Sequence, residues 1–250
     1  MDQQQDALDF ALALEMFENE LYKAVLGTST SAAQNAVFAP ARVQLQAVPG
    51  GLATLQQIQK HEAAHVATLL AAGAMDLFGL SDASFDFTGA RGAGDGPFAA
   101  ATTDLSALLE LVQGVEDTGV RAYKGQLPSL ALDPGLLETA LRIHSVEARH
   151  ASRIRRMRRL AAAPAPVTVR LSGTVRGGGA AAAGGSGSES AAVVAALEQI
   201  YAGESNTTQA GVEVTTLAAA QFGLEAEQEA FDEPLARADV GAIVQPFFVP

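Results

Sequence analysis

The stretch Glu62-Ala63-Ala64-His65 recurs in a related form at Glu147-Ala148-Arg149-His150, and each copy follows a single glutamate, Glu15 in the first case and Glu116 in the second. Residues three apart on a helix share a face, so each Glu-x-x-His pair presents a carboxylate and an imidazole together. Two single glutamates and two such pairs are the donors with which a four-helix bundle holds two transition-metal ions. The repeat therefore predicts an all-α bundle whose metal ligands are Glu15, Glu62, His65, Glu116, Glu147 and His150.

Apolar residues at three- and four-residue spacing predict one helix around each of these donor segments. The expected helices span about residues 4–26, 51–72, 103–125 and 134–162. Asp133-Pro134 supplies a capping residue and a first-position proline for the fourth helix, and Pro128 is expected beyond the end of the third. Residues 73–101 are rich in Gly, Asp and Phe and predict a long crossover, which places the second and third helices parallel.

The sequence changes character beyond Pro164. Residues 167–171 alternate like a short strand, residues 177–190 are a Gly/Ala/Ser tract, and helices are expected at about 190–202 and 235–244. No separate core is evident in this part. We therefore expect residues 1–163 to form the bundle and residues 164–250 to form a mostly irregular extension that packs on the bundle or on a neighbouring subunit.

Composition narrows the possible functions. The net charge is −12, with 16 basic and 28 acidic residues, which argues against nucleic-acid binding and suits a protein that gathers cations. The absence of cysteine excludes disulfides and thiolate metal sites. No apolar run predicts a transmembrane helix, and the opening Met1-Asp2-Gln3 predicts no signal peptide. The expected location is cytoplasmic for the chain as given, or the periplasm or cell envelope if a leader has been trimmed.

The donor types indicate which ions are expected. Four carboxylates and two imidazoles suit iron or manganese, whereas zinc would bind without supporting redox chemistry. Four carboxylates buried together are costly unless a counter-charge neutralises them. Two divalent ions supply that charge.

Residues beside the donors allow more than one interpretation. Tyr22 and Tyr123 each follow a single glutamate by seven residues and either hydrogen-bond a carboxylate of the opposite repeat or only fill the core. Glu18 is either an extra, movable carboxylate facing space opened by Gly119 or a surface salt-bridge partner. His61 is expected to point away from the donors and to be structural.

Several segments closely resemble the bacterial ferritin-like domain proteins that include desiccation-associated members. The resemblance implies a ferritin-like bundle with a carboxylate-bridged centre of two Fe ions, or alternatively two Mn ions, and no settled substrate. It covers nearly the whole chain. The segments that carry it are Leu12–Glu18, Lys60–His65, Glu116–Tyr123, Val146–His150, Tyr201–Gly211 and Phe231–Leu235.

Three functional hypotheses follow. In the first, two Fe(II) ions react with oxygen or peroxide, so that the protein oxidises iron or removes peroxide during stress, with Tyr22 and Tyr123 beside the centre. In the second, two Mn ions support a manganese catalase-like dismutation of peroxide. In the third, the metals only stabilise the bundle of a structural or desiccation-protective protein, without catalysis. A homo-oligomer is compatible with all three.

Overall fold

The computed structural model describes residues 3–161, 190–216 and 230–250 and is mostly helical. The strand predicted at 167–171, and all but the last residue of the Gly/Ala/Ser tract, lie outside these residues. The helices are α1 (Gln3–Leu26), α2 (Ala32–Val37), α3 (Ala39–Leu45), α4 (Gly51–Ala71), α5 (Leu105–Leu130), α6 (Pro134–Ala161), α7 (Ala191–Ile200) and α8 (Arg237–Val244). Two short antiparallel strands are β1 (Thr208–Gln209) and β2 (Val212–Glu213).

The four long helices form the expected bundle, and hydrogen bonds near their ends fix their directions. The Gln5 side chain in α1 donates to the carbonyl of Gly73, just beyond α4, at 3.0 Å, so α1 and α4 are antiparallel. The backbone N–H of Leu105 at the start of α5 donates to Gln44 in α3, which lies near the end of α1. Both α4 and α5 therefore run against α1 and parallel to each other. The crossover produces the arrangement that the sequence predicted.

Packing in the bundle is uneven. Helix α1 packs mainly on α4 and α5, and α5 packs mainly on α6, whereas α4 and α6 contact each other at few positions. Small apolar side chains fill the interior, and the largest core cluster includes Leu21, Leu55, Leu109 and Ile154. The sparse contact between α4 and α6 leaves a cleft on one side of the bundle.

Helix α5 is longer than predicted. Asp104 caps it by accepting a hydrogen bond from the backbone N–H of Ala107 at 2.8 Å. The helix continues to Leu130, so Pro128 lies in its last turn and not beyond its end. A proline there removes one backbone hydrogen bond. Burial of Leu130, with partial burial of Leu127, offsets that loss.

Two short helices that the sequence reading did not predict fill the connection between α1 and α4. Ser31 caps α2 by accepting from the backbone N–H of Gln34. From α3, the guanidinium of Arg42 donates to the carbonyls of Val25 and Ala24 at 2.6 and 2.8 Å. These carbonyls belong to the last turn of α1, which has no intrahelical donors for them. Arg42 therefore closes the end of α1.

The crossover has an ordered core of its own. The Asp86 carboxylate accepts hydrogen bonds from Thr88 and from the backbone N–H groups of Gly92 and Gly94, at 2.6 to 3.1 Å. Both glycines have positive φ, a conformation that other residues rarely adopt. An aromatic cluster packs the crossover and the last residues of the chain onto α1, and its members are Phe17, Phe85, Phe87, Phe98, Phe247 and Phe248.

Described parts of the extension lie on the bundle, mainly against α5. Arg121 is 1% exposed, pairs with Glu204 at 3.0 Å, and donates to the carbonyl of Ile200 at the end of α7. Gly125 allows close approach of the chain, because a Cβ there would lie 1.9 Å from the carbonyl oxygen of Leu235. The proposed boundary between residues 163 and 164 falls outside the described residues and stays a prediction.

Within the described residues, no helix is long and apolar enough to span a membrane.

Candidate metal centre

All six predicted donors meet in the middle of the bundle. Helix α1 contributes Glu15, α4 the first Glu-x-x-His pair, α5 Glu116 and α6 the second pair. The four carboxylates are fully buried, and His65 and His150 are 8% and 3% exposed. Side chains on four separate helices thus converge in an enclosed space, as the repeated spacing predicts.

The first group of donors surrounds His65. Its Nδ1 atom lies 3.1 Å from Glu15 Oε2, 3.1 Å from Glu62 Oε2 and 3.2 Å from Glu147 Oε1. One ligand atom from each of these four residues fits within 4.8 Å of the others. This group has the size and the donor types of a site for one ion.

The second group surrounds His150. Its Nδ1 atom lies 2.9 Å from Glu62 Oε1, 3.2 Å from Glu116 Oε2 and 3.6 Å from Glu147 Oε2. Glu62 and Glu147 therefore belong to both groups and offer a different oxygen to each. Each group also has one histidine and one glutamate of its own, Glu15 in the first group and Glu116 in the second.

Several donor atoms contact only other members of the cluster. Within the described residues, Glu62 Oε1, Glu116 Oε2, both Glu147 oxygens and His150 Nδ1 are buried and have no hydrogen-bond partner outside it. Buried polar atoms normally have such partners, because each unsatisfied one costs free energy. Two ligands that lie about 2.1 Å from one ion at right angles are about 3 Å apart. The spacing and the missing hydrogen bonds both fit metal ligands.

Burial and mutual repulsion perturb the acids of this cluster. Burial raises the pKa of Glu116 to about 7. Burial and then the charge of Glu147 raise the pKa of Glu62 well above its usual value. Burial also favours the neutral form of Glu147, but hydrogen bonds from His150 and His65 outweigh it and lower its pKa to about 2. Strong coupling of this kind is typical of a site built for a counter-charge.

The imidazoles supply that counter-charge in the metal-free protein. Burial disfavours the charged form of His65, but its hydrogen bonds to Glu147 and Glu15 raise its pKa to about 12. Coulombic attraction to Glu116, together with hydrogen bonds, likewise raises the pKa of His150, against the effect of burial. The raised pKa values favour the charged form of both imidazoles at neutral pH, so they offset part of the carboxylate charge.

We expect the metal-free protein to lose stability as the pH rises from about 5 to about 8. Glu116 and His65 have raised pKa values in the folded state, so they take up protons on folding. Glu116 contributes its full stabilisation below about pH 4.5 and loses it as the pH rises towards about 7. His65 contributes its full stabilisation below about pH 6.5 and loses it as the pH rises towards about 12. The contribution of Glu147 changes only between about 4.5 and 2, below this window. The urea midpoint in the presence of a chelator measures the trend.

The metal-loaded protein is the control for this experiment. Metal ions compete with protons for the same ligands, so the loaded protein should instead gain stability over the same pH interval. The lowered pKa of His61 favours higher stability at higher pH and so opposes the loss expected for the metal-free protein. Because His61 is only half-buried, we expect its effect to be the smaller one. A metal-free midpoint that rises from pH 5 to pH 8 would contradict the electrostatic interpretation of the cluster.

The two tyrosines hydrogen-bond carboxylates of the opposite repeat. Tyr22 in α1 donates to Glu116 Oε1. Tyr123 in α5 donates to Glu15 Oε1 at 2.6 Å. Both rings are buried. Each hydroxyl therefore holds a carboxylate that belongs to only one of the two donor groups.

His61 contacts the centre, which the sequence reading did not anticipate. Its Nδ1 atom lies 2.8 Å from His150 Nε2, and the two rings stack at 5.1 Å with an angle of 12°. With Nε2 engaged in this way, the Nδ1 atom of His150 faces the carboxylates. The four-residue spacing of His61 and His65 was the available signal, because residues four apart share a helix face.

The cleft between α4 and α6 leads to this pair of histidines. It encloses about 1330 Å³ when the open space at its mouth is included, and its lining contains His61, His150, Gln57, Arg149 and Arg153. His61 bonds to Gln57 at 2.7 Å on its outer side. This side of the centre is therefore the polar one and the one nearer to solvent.

Glu18 is a further buried carboxylate beside the cluster. It is 4% exposed, so it is not a surface salt-bridge partner. Burial, followed by repulsion from Glu147 and Glu15, raises its pKa well above the usual value. Gly119 lies directly against it, since a Cβ there would be 3.0 Å from Glu18 Oε1.

The sequence profile of a family described as "Ferritin-like domain" matches residues 3–159. The match runs from the start of α1 into the last turn of α6 and includes all six donors. No curated protein and no solved structure gives a match to this chain.

Proposed function

The chain belongs to the ferritin-like domain family, and from this membership and its buried donor cluster we propose that it holds two metal ions that react with oxygen or peroxide. The observation that carries the proposal is the convergence of four buried glutamates and two histidines in two groups that share Glu62 and Glu147. Several of the buried donor atoms have no hydrogen-bond partner outside the cluster among the described residues. Four carboxylates thus have two imidazoles as their nearest counter-charge.

The proposed ions are two Fe ions, with two Mn ions as the alternative. Carboxylate oxygens dominate the donor set, imidazole nitrogens complete it, and the chain contains no thiolate. Iron and manganese prefer such mixed sites, and both change oxidation state under biological conditions. When bound, the pair supplies one-electron redox chemistry and open coordination positions.

The residues of the chain would hold and orient this centre. Glu62 and Glu147 would help to hold both ions, Glu15 and His65 would hold one, and Glu116 and His150 would hold the other. Tyr22 and Tyr123 would fix the single glutamates through their hydroxyls. His61 would hold the ring of His150 with Nδ1 towards the centre. Hydrogen bonds of this outer kind orient ligands and raise metal affinity.

The physiological role that we propose is protection during stress, by oxidation of Fe(II) or removal of peroxide. Support comes from the segments that resemble desiccation-associated ferritin-like proteins, and from the net charge of −12, which would concentrate cations. The proposed partners are the metal ions and the oxidant.

The test is a single-turnover experiment on the full chain. Protein loaded anaerobically with two equivalents of Fe(II) is mixed with oxygen or with hydrogen peroxide, and we expect near-ultraviolet absorbance from ferric iron to appear at least ten times faster than for Fe(II) in buffer. Tyr22→Phe and Tyr123→Phe should slow this phase without abolishing metal binding. A fully loaded protein that gives no absorbance change with either oxidant would contradict the redox function.

The same preparation separates the remaining hypotheses. Manganese-loaded protein that evolves oxygen from peroxide, with little reaction of the iron form, would favour catalase-like dismutation. Metal that stabilises the fold without turnover of either form would favour a structural role.

A further inference from the structure

A small apolar cavity lies beside the donor cluster, on the side of α1 opposite to α4. It encloses about 360 Å³ including its mouth, and is lined by side chains of α1, α5, the crossover and the extension. The extension forms the outer wall through Ile200, Ile243 and Phe247. The bundle helices alone would leave this space open to solvent.

Glu18 is the single charged side chain in the lining. It is 4% exposed, and within the described residues no donor hydrogen-bonds its carboxylate. The other polar side chain is Thr118, whose hydroxyl donates to the carbonyl of Gly114 at 2.7 Å and keeps its oxygen as an acceptor. The polar side chains of this otherwise apolar lining are thus Glu18 and Thr118.

Gly119 connects the cavity with the donor cluster. A Cβ at this position would lie 3.0 Å from Glu18 Oε1 and 3.5 Å from Glu147 Oε2. Gly119 has no positive φ, so its backbone does not require glycine. Glycine in the middle of a helix is unfavourable compared with alanine. What the glycine provides here is space between Glu18 and a carboxylate that belongs to both donor groups.

The chemistry of the lining selects the class of occupant. One carboxylate among apolar walls supplies too few oxygens for a metal cation, and it repels anions. Water needs two to four polar partners, and among the lining side chains only Glu18 and Thr118 can supply them. The remaining side chains of the lining are apolar, and a small, uncharged, apolar molecule fits against them.

We propose that this cavity binds dioxygen, or a molecule of the same size and polarity, next to the centre. The inference rests on the proposed function, since dioxygen is one of its two oxidants. The two sides of the centre then differ in use: the cleft between α4 and α6 admits water and polar solutes, and the cavity under the extension holds the apolar reactant. The extension would contribute to dioxygen binding by forming the outer wall of this cavity.

Xenon tests the binding site independently of any metal, because it occupies apolar cavities as dioxygen does. In crystals of the full chain under xenon pressure, we expect a xenon peak beside Glu18. A second apolar cavity, lined by Leu8, Tyr123 and Leu130, serves as an internal reference and should also bind xenon. A missing peak beside Glu18 with the reference cavity occupied would overturn the proposal.

Three glycine variants then test whether occupancy of the cavity affects the reaction of the centre with dioxygen. Gly119→Ala should remove the peak beside Glu18, retain the reference peak, and slow the reaction of the iron-loaded protein with dioxygen ten-fold or more. Gly114→Ala narrows the same cavity from the other end, since its Cβ would lie 3.0 Å from Ile200 Cδ1, and should weaken the peak and the reaction together. Gly241→Ala, where a Cβ would meet nothing within 4 Å, should change neither.

The outcomes separate this inference from the proposed function. Loss of the xenon peak in Gly119→Ala and Gly114→Ala with an unchanged rate constant for dioxygen would overturn the role of the cavity, while the redox function would stand. Failure of the wild-type protein to bind iron would instead contradict the proposed function, and the xenon peaks would still decide whether the cavity binds an apolar diatomic molecule.

Discussion

Loading the metal-free protein with Mn²⁺ at neutral pH should raise its melting temperature by about 10 °C or more. A ligand that binds only the folded state at 1,000 times its dissociation constant contributes about 4 kcal/mol, so two such ions contribute about 8 kcal/mol. In a chain of this length, each kcal/mol shifts the melting temperature by about 2–4 °C. The physical source is the neutralisation of four buried carboxylates, whose donor atoms lack other partners. Differential scanning calorimetry with and without the ion measures the shift.

A surface variant provides the control for this experiment. Glu138 also lies on α6, but its side chain is 64% exposed and pairs with Arg142. The Glu138→Gln variant should therefore keep the full metal-dependent shift. If Mn²⁺ stabilises wild type and variants that each lack one of the six donors equally, the cluster is not where the ion binds.

Replacement of a shared glutamate should remove both ions, whereas replacement of an unshared donor should remove one. Glu62 and Glu147 each contribute oxygens to both groups, so Glu62→Gln and Glu147→Gln weaken both sites. His65→Ala and His150→Ala each weaken only their own group. Loss of an outer-shell partner typically costs about 10–100-fold in metal affinity. Because these variants lose a ligand itself, we expect a loss of about 100-fold or more at every weakened site. Calorimetric titration of each variant gives the number of ions and the affinity.

The metal-dependent melting shift checks the same ranking by a second route. It should vanish in the two shared-glutamate variants and fall to about half in the two histidine variants. Equal stoichiometry in all four variants would contradict the two-group arrangement, even if metal binding itself were intact.

The positions of the long helices were predictable because the metal donors and the core side chains recur at the same three- and four-residue spacing. In α4, Leu55, Ile58, Glu62, His65 and Leu69 are all buried, so the same three- and four-residue spacing indicates both the helix and its inner face. The bounds of α1, α4 and α6 accordingly fall within one or two residues of those expected. The sequence predicted that α5 ends at about residue 125, before Pro128, because tertiary burial of Leu130 is not visible in local propensity.

Contacts between distant segments were beyond this kind of prediction. The pairing of His61 with His150 depends on how α4 faces α6, and the burial of Glu18 depends on the extension that covers it. Neither arrangement has a local signature. Buried Arg121 is similar, since its partners lie about 80 residues further along the chain. Spacing along one helix showed which side chains share a face, but not which segment covers that face.

The number of metal ions bound per folded chain tests the central claim most directly. Elemental analysis of this 250-residue chain, loaded with Fe(II) or Mn²⁺ and freed of excess ion, should give two ions per chain for wild type. Circular dichroism of the same sample confirms that the helices are intact. A helical, correctly folded protein that retains no iron or manganese would contradict the assignment of the buried glutamates and histidines as a di-metal centre.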